Sequence, residues 1–305
     1  MSSLQHINLR PKLTTFLVSS LYFKNEPLTV VDVGARGGLE AYWKVYGDQI
    51  RVIGFEPDVR ECRRLNRVFK NNQRFYPYAL WQSSTKRNFY VMKNAASSSF
   101  FKPKDDFWDR FPDRKNLAIR KTLKLNTISL DDFAKKQRID NIDFIKMDAE
   151  GAELAVLKGA VNLLKKSILG LTCEVLFVQT AHNQPVFSEI DLFLKSLGFD
   201  LFDLGLYRLG RKTFSKEPGP KKQGQVILGH ALFLRDLASE IESGSRRKDP
   251  DQIQILKMIS IMELFGLYDC AAELVQVAAK YKLLRNSQKD FLKFLNPKKS
   301  FFEIF

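Results

Sequence analysis

VVDVGARGG at residues 30–38 constrains this chain more than any other stretch. Residues 29–33 are β-branched and apolar around Asp32, so they read as a short buried strand. Gly34, Gly37 and Gly38 follow, with Ala35 between them, and let the backbone turn sharply with no Cβ in the way of a ligand. In an open α/β sheet, ligands sit at the carboxyl ends of strands, where such a turn feeds a helix. The next strand candidate, residues 51–55, runs into Glu56 and Pro57. A carboxylate at that point grips the two hydroxyls of a ribose. Together these features predict a site for a nucleoside derivative. Asp32 stands where a dinucleotide fingerprint has its first glycine. An anion there is a poor neighbour for pyrophosphate and a good one for the ammonium and sulfonium of S-adenosylmethionine.

The 305 residues, 45% hydrophobic, suffice for one large α/β domain and an appendage. The expected division is an N-terminal helical segment (1–24), a nucleoside-binding domain (25–238) and a C-terminal helical extension (239–305). Cys62, Cys173 and Cys270 are odd in number, far apart and without a C-x-x-C pair. They suggest neither a zinc ribbon nor a disulfide framework, and fit a reducing, cytoplasmic compartment. No apolar run approaches the ~20 residues that span a bilayer. Residues 13–23 lack a small-residue cleavage site and read as a packed helix rather than a signal peptide. The net charge of +15 favours an anionic partner: nucleic acid, acidic glycan or a membrane surface in peripheral contact. No RNA-recognition or helix-turn-helix pattern accompanies the charge, which makes nucleic acid the weakest of these.

Along the chain, residues 59–70 predict a basic helix opened by Asp58, with Cys62, Leu65 and Phe69 toward the core. Residues 75–80 read as a third strand ending at Leu80, and residues 87–92 as a further strand or edge hairpin. The aromatics Phe107, Trp108 and Phe111 of the following insert favour packing over ligand stacking. Ser129 should cap a helix. Residues 144–147 predict a buried strand whose exit loop holds Asp148, Glu150 and Gly151. Leu154, Leu157, Val161 and Leu164 continue at helical spacing, with Gly159 tolerated inside. Residues 171–177 form another strand carrying Glu174, a costly carboxylate in an apolar run. His182 lies in its exit loop. Ser188 with Asp191 should cap the next helix, stopped by Gly198. Residues 200–206 and 226–234 read as an antiparallel pair joined by a long basic loop after Arg208. Residues 253–265 and 271–284 alternate as two amphipathic helices around Gly266, residues 288–295 suggest a third, and KKSFFEIF at 298–305 ends the chain ready to dock.

The ordered set VVDVGARGG, FEPD (55–58), the SSS-F loop (97–100) and IDFIKMDAEGAELAVLKGA (142–160) resembles the FkbM family of S-adenosylmethionine-dependent methyltransferases. FSEIDLFLKSLGFDLFDL (187–204) and HALFLRD (230–236) are similar to that family's closing segments, so the resemblance covers roughly residues 25–238. It implies a Rossmann-like class I methyltransferase fold, a mostly parallel seven-stranded sheet with helices on both faces, and O-methylation, often of sugar hydroxyls. On that reading Glu56, with Pro57 beside it, holds the ribose. Asp32, Gly34, Ala35 and Gly37 form the loop against the cofactor, Leu80 lies near the adenine, and Asp148 points toward the methyl group. The acceptor would be a sugar or glycan, anionic or lipid-linked. A sugar hydroxyl needs a base, and Asp148, Glu150, Glu174 and His182 are candidates. Asp148 and Glu174 offer Mg²⁺ two carboxylates, too few ligands to argue for a metal. Two other classes stay open. One is methylation of RNA or protein, against which no Asn-Pro-Pro-Tyr-type motif stands at Asp148. The other is a non-catalytic interaction module, against which the glycine loop and Glu56 stand.

Overall fold

The computed structural model describes residue 4 and residues 6–69, 72–214, 216–245, 249–284 and 288–295. The terminal KKSFFEIF and the basic residues 246–248 lie outside them. Among the described residues ten strands form: β1 (Leu28–Val33), β2 (Ile50–Phe55), β3 (Gln73–Tyr76), β4 (Ala79–Leu80), β5 (Lys86–Met92), β6 (Ile119–Ile128), β7 (Phe144–Met147), β8 (Gly170–Leu176), β9 (Asp200–Leu209) and β10 (Gln225–Leu234). Seven make one sheet in the order β3-β2-β1-β7-β8-β10-β9. β1 pairs parallel with β7 and β7 with β8, whereas β10 runs antiparallel to both β8 and β9. The expected strands at 144–147, 171–177, 200–206 and 226–234 are thus present. The strand order reverses between β1 and β7, which puts the ligand crevice of an open α/β sheet at their carboxyl ends.

Every residue of β1 is buried, as a central parallel strand requires. Val31, Val33, Ile53 and Phe55 share one apolar core with Leu130, Phe133, Leu157, Ile190 and Leu194 of three helices. Elsewhere Ala35 packs with Cys62, Leu65 and Phe75 beneath the helix Val59–Val68. Asp58 caps that helix, its Oδ1 accepting from the Arg60 N–H at 2.9 Å, and Ser129 caps Leu130–Gln137 by accepting from Asp132 N–H at 3.0 Å.

Four local readings are corrected. The strand expected over 75–80 is two strands in two sheets: β3 belongs to the large sheet, β4 to a three-stranded sheet of order β4-β6-β5. The helix expected to run through Gly159 is broken into Glu153–Lys158 and Val161–Lys166: the Gly159 carbonyl accepts from the Asp131 N–H at 2.9 Å, and the Asp131 carboxylate accepts from the Asn162 and Leu163 amides at 2.9 and 3.1 Å, capping the second helix. The helix Phe187–Lys195 is capped by Glu189, which accepts from the Val186 N–H at 3.0 Å, and Ser188 lies inside it. Gly198, at φ +82°, follows as the expected stop. The helix Gln252–Leu264 is not amphipathic: Ile255 through Leu264 are all buried, Lys257, Ser260 and Glu263 included.

The chain divides into two compact units. One comprises residues 1–4, 29–38 and 52–234, and so holds the sheets; the other is helical and comprises residues 5–28, 39–51 and 235–305. In the helical unit Glu263 receives the amides of Leu13 and Thr14 at 2.9 and 2.7 Å and the Thr14 hydroxyl at 2.7 Å. A buried carboxylate thereby caps the helix Lys12–Ser19, which has no cap in its own sequence. Among the described residues no helix is long and apolar enough to cross a membrane.

Candidate active site

A cavity of about 710 Å³ opens at the carboxyl ends of β1, β2 and β7. Gly34, Glu56, Pro57, Leu80 and Asp148 line it, together with Glu150. Gly34 is at φ +74°, and a Cβ there would fall 1.9 Å from the Asp148 carbonyl oxygen. The exits of β1 and β7 therefore touch backbone to backbone, a contact that only glycine permits. Glu56 is 5% exposed. Its Oε1 accepts from the Asp58 N–H at 2.8 Å and lies 3.7 Å from Arg36. Burial pushes its carboxyl up, against the opposing pull of that amide and of Arg36.

Asp32, Ala35 and Gly37 are not among the residues that line the cavity, whereas Arg36 of the same loop is. Asp32 is fully buried and is not among the lining residues. It sits opposite Lys146 in the β1–β7 register, with Lys146 Nζ 3.1 Å from its Oδ1. Its Oδ2 accepts no hydrogen bond from a described residue. Burial raises its pKa although Lys146 opposes the shift. Lys146 itself lines the cavity. Ala35 is buried against Cys62 and Phe75. Gly37, at φ +89°, donates its N–H to Glu61 Oε1 at 3.2 Å.

Beyond β7 lies a set of interacting acids. Burial, Asp148 and Glu153 push the Glu150 carboxyl well up. Glu174 is pushed up by burial and then by Glu150, Asp148 and Glu153. Glu153, 2% exposed, rises to about 7, mainly through burial, although it accepts the Ala149 amide at 2.8 Å. Glu150 adopts a left-handed φ of +52°, a strained conformation for a side-chain-bearing residue, and its carbonyl is held by the Ser99 hydroxyl at 2.7 Å. The SSS-F loop is thus the clamp on the β7 exit. His230 faces Glu174 across the β8–β10 pair, and burial lowers its pKa while Asp148 opposes the shift. His182 is exposed, its N–H donating to the Lys102 carbonyl at 2.9 Å, and it is not among the lining residues. From the same loop Gln184 reaches the β7 exit instead: a Cβ on Gly151 would meet its Nε2 at 2.2 Å.

Sequence reading missed Arg36, Lys146, His230 and the far wall of the cavity. Lys146 was signalled by its charge within the buried strand FIKM, and Arg36 by its place inside the glycine loop. The far wall is one face of the β5–β6 pair, where Phe89 is registered with Leu123 and Val91 with Lys121, and Leu125 follows on the same face. Phe100 packs edge-on to Phe89 at 5.1 Å. This apolar i, i+2 spacing was legible, but not which side it would face. The insert aromatics pack as expected: Trp108 and Phe111 form a core with Leu209 and Ile227.

Residues 32–201 match the methyltransferase FkbM domain, more than half of the chain. The chain belongs to the FkbM methyltransferase family. Among solved structures it is similar to the FkbM methyltransferase of Methylobacillus flagellatus KT, at 17% identity and TM-score 0.40, over 70% of this chain and 47% of that one. This chain therefore spans about half the length of that relative. It is also similar to magnesium protoporphyrin IX methyltransferase of Synechocystis PCC 6803, solved with bound S-adenosylmethionine (10% identity, TM-score 0.34, 74% of this chain, 80% of that one). A third is the N-methyltransferase NodS of Bradyrhizobium japonicum WM9 in complex with S-adenosyl-L-homocysteine (8%, TM-score 0.34, 72% and 85%). No curated protein matches the chain.

S-adenosylmethionine is the cofactor of this family, and the residues present fit it. Glu56 offers a buried carboxylate to ribose hydroxyls, Gly34 leaves room for close backbone approach, and Tyr78, Ala79 and Leu80 supply an edge for a base. The unpartnered Oδ2 of Asp32 is an acceptor within the same loop. Among the described residues no group of acidic, histidine or cysteine side chains is arranged to hold a metal ion.

Proposed function

We propose that this chain is a cytoplasmic O-methyltransferase for a hydroxyl of a sugar or glycan, with an anionic or lipid-linked acceptor. One observation carries the reading: a single cavity contains a ribose-type carboxylate, Glu56, at one strand end and the carboxylates Asp148 and Glu150 at another. Bound there, S-adenosylmethionine supplies an electrophilic methyl group. The chain must align the acceptor oxygen and remove its proton. Asp148 is the proton acceptor in this proposal, because it borders the cavity at the switch in strand order. Burial and their mutual repulsion push the carboxyls of Glu150 and Glu174, which interact with it, well up. Lys121 on the cavity wall suits an acceptor with an anionic group, and Phe89, Phe100 and Leu123 one with an apolar portion.

Calorimetric titration of S-adenosylhomocysteine into wild type and Glu56→Ala tests the cofactor site. Micromolar binding lost in the variant is the expected result. Labelled methyl transfer to a panel of glycosides then tests the chemistry, where Asp148→Asn should lower kcat by about 10²–10⁴ with S-adenosylhomocysteine affinity kept. Transfer to RNA or protein and not to glycosides would replace the acceptor assignment. Absence of cofactor binding in both proteins would remove the enzymatic reading.

A further inference from the structure

The helical unit carries a second cavity, a groove of about 860 Å³ whose lining shares no residue with the cavity above. It is lined by Arg10 and Lys12 before and at the start of the helix Lys12–Ser19, by Lys44 of the short turn Ala41–Tyr46, and by Phe294 of the helix Gln288–Leu295. Among the described residues three cations line it and no carboxylate does. Among the described residues none of the three forms an ion pair. The walls between them are apolar. Phe16 stacks on Phe294 with centroids 5.1 Å apart and planes inclined by 25°, Val45 and Tyr42 continue the surface, and Leu9 is 76% exposed at its rim. The amides of Leu13 and Thr14 are already taken by Glu263, so an anion here would be held by side chains rather than by the helix end.

Apolar wall plus unpaired cations is the chemistry that recognises an anionic amphiphile. We propose that this groove seats an anionic phospholipid of a bilayer, its phosphate on Arg10, Lys12 and Lys44 and its acyl chain against Leu9, Phe16 and Phe294. The net charge of +15 adds long-range attraction to the same surface. Attachment of this kind is peripheral, in keeping with the lack of a spanning helix among the described residues.

Co-sedimentation of the full chain with phosphatidylcholine vesicles, with and without phosphatidylglycerol, tests this at physiological ionic strength. Wild type should bind the anionic vesicles and not the neutral ones. The triple variant Arg10→Glu, Lys12→Glu, Lys44→Glu should lose more than about a hundredfold in partition, since each cation near an anionic surface is worth roughly fivefold. Leu9→Asp should weaken binding about tenfold with all three cations kept. A control reversing Lys135, Lys136 and Lys165, exposed cations of the other unit, should change partition far less. A far-UV circular dichroism spectrum and a melting temperature unchanged in every variant show that each has folded. Equal loss in the control and the groove variant would overturn the proposal in favour of general charge attraction. Failure of wild type to bind anionic vesicles would overturn it outright, as would binding of monomeric dodecyl phosphate without vesicle binding.

Discussion

Glu153 shows how one residue ties the fold to the site. Its carboxyl is buried among Asp148, Glu150 and Glu174, and its pKa stands at about 7 against an ordinary 4.5. The folded chain therefore binds a proton that the unfolded chain has released between those two values. The contribution of Glu153 to stability is full below about pH 4.5, declines as pH rises, and is lost above about pH 7, a change on the order of 3 kcal/mol. Denaturant unfolding at pH 5 and pH 7.5 should show that decline in wild type and a much smaller one in Glu153→Gln. A wild type whose stability rises over this range would sink the assignment. Gly34 acts at the same scale by a different cause. Its role was legible as a turn glycine, yet the 1.9 Å approach to the Asp148 carbonyl involves residues more than a hundred positions apart. Asp32 was read as a cofactor contact because strand ends meet ligands. Its pairing with Lys146 follows from the register Asp32↔Lys146, which only the assembled sheet sets.

At the scale of elements, the caps Asp58 and Ser129 carry their own local signal and stand where it puts them, whereas Ser188 lies inside its helix. Asp58 and Ser129 cap helices because a short polar side chain satisfies amides two or three residues on. Elements whose ends are satisfied from afar carry no such signal. The helix Lys12–Ser19 is capped by a carboxylate 249 and 250 positions away in sequence. Glu263→Leu would leave two buried amides and a hydroxyl without acceptor, and should destabilise the chain by about 3 kcal/mol in denaturant unfolding, with Glu263→Gln recovering part of it. A change below ~0.5 kcal/mol for the leucine variant would show that this cap is not needed. Gly159 illustrates the opposite error. Its helical neighbours continue the apolar period, but Asp131, distant in sequence, takes the Gly159 carbonyl and caps the next helix through the Asn162 and Leu163 amides, and the helix breaks there.

For the whole molecule, the methyltransferase unit and the helical unit are each drawn from separated stretches of chain, with residues 39–51 and 235–305 contributing to the second. S-adenosylhomocysteine at a hundred times its Kd should stabilise the methyltransferase unit by about 2.7 kcal/mol, because it binds the folded form alone. Hydrogen exchange should read this as slowed exchange in β1, β2 and β7. Unaltered protection there at saturating ligand would move the cofactor out of the 710 Å³ cavity. Sequence by itself determined the central strands of the large sheet, the glycine turn, the position of Glu56 and Asp148 at strand ends, and the family, because each rests on local spacing or on residues adjacent in the chain. Tertiary structure alone decided which carboxylates meet, that Lys146 neutralises Asp32, that the β5–β6 face closes the cavity, and that His182 stays outside its lining while His230 faces Glu174. These are long-range juxtapositions set by strand register and backbone approach, and no local pattern of residues encodes them.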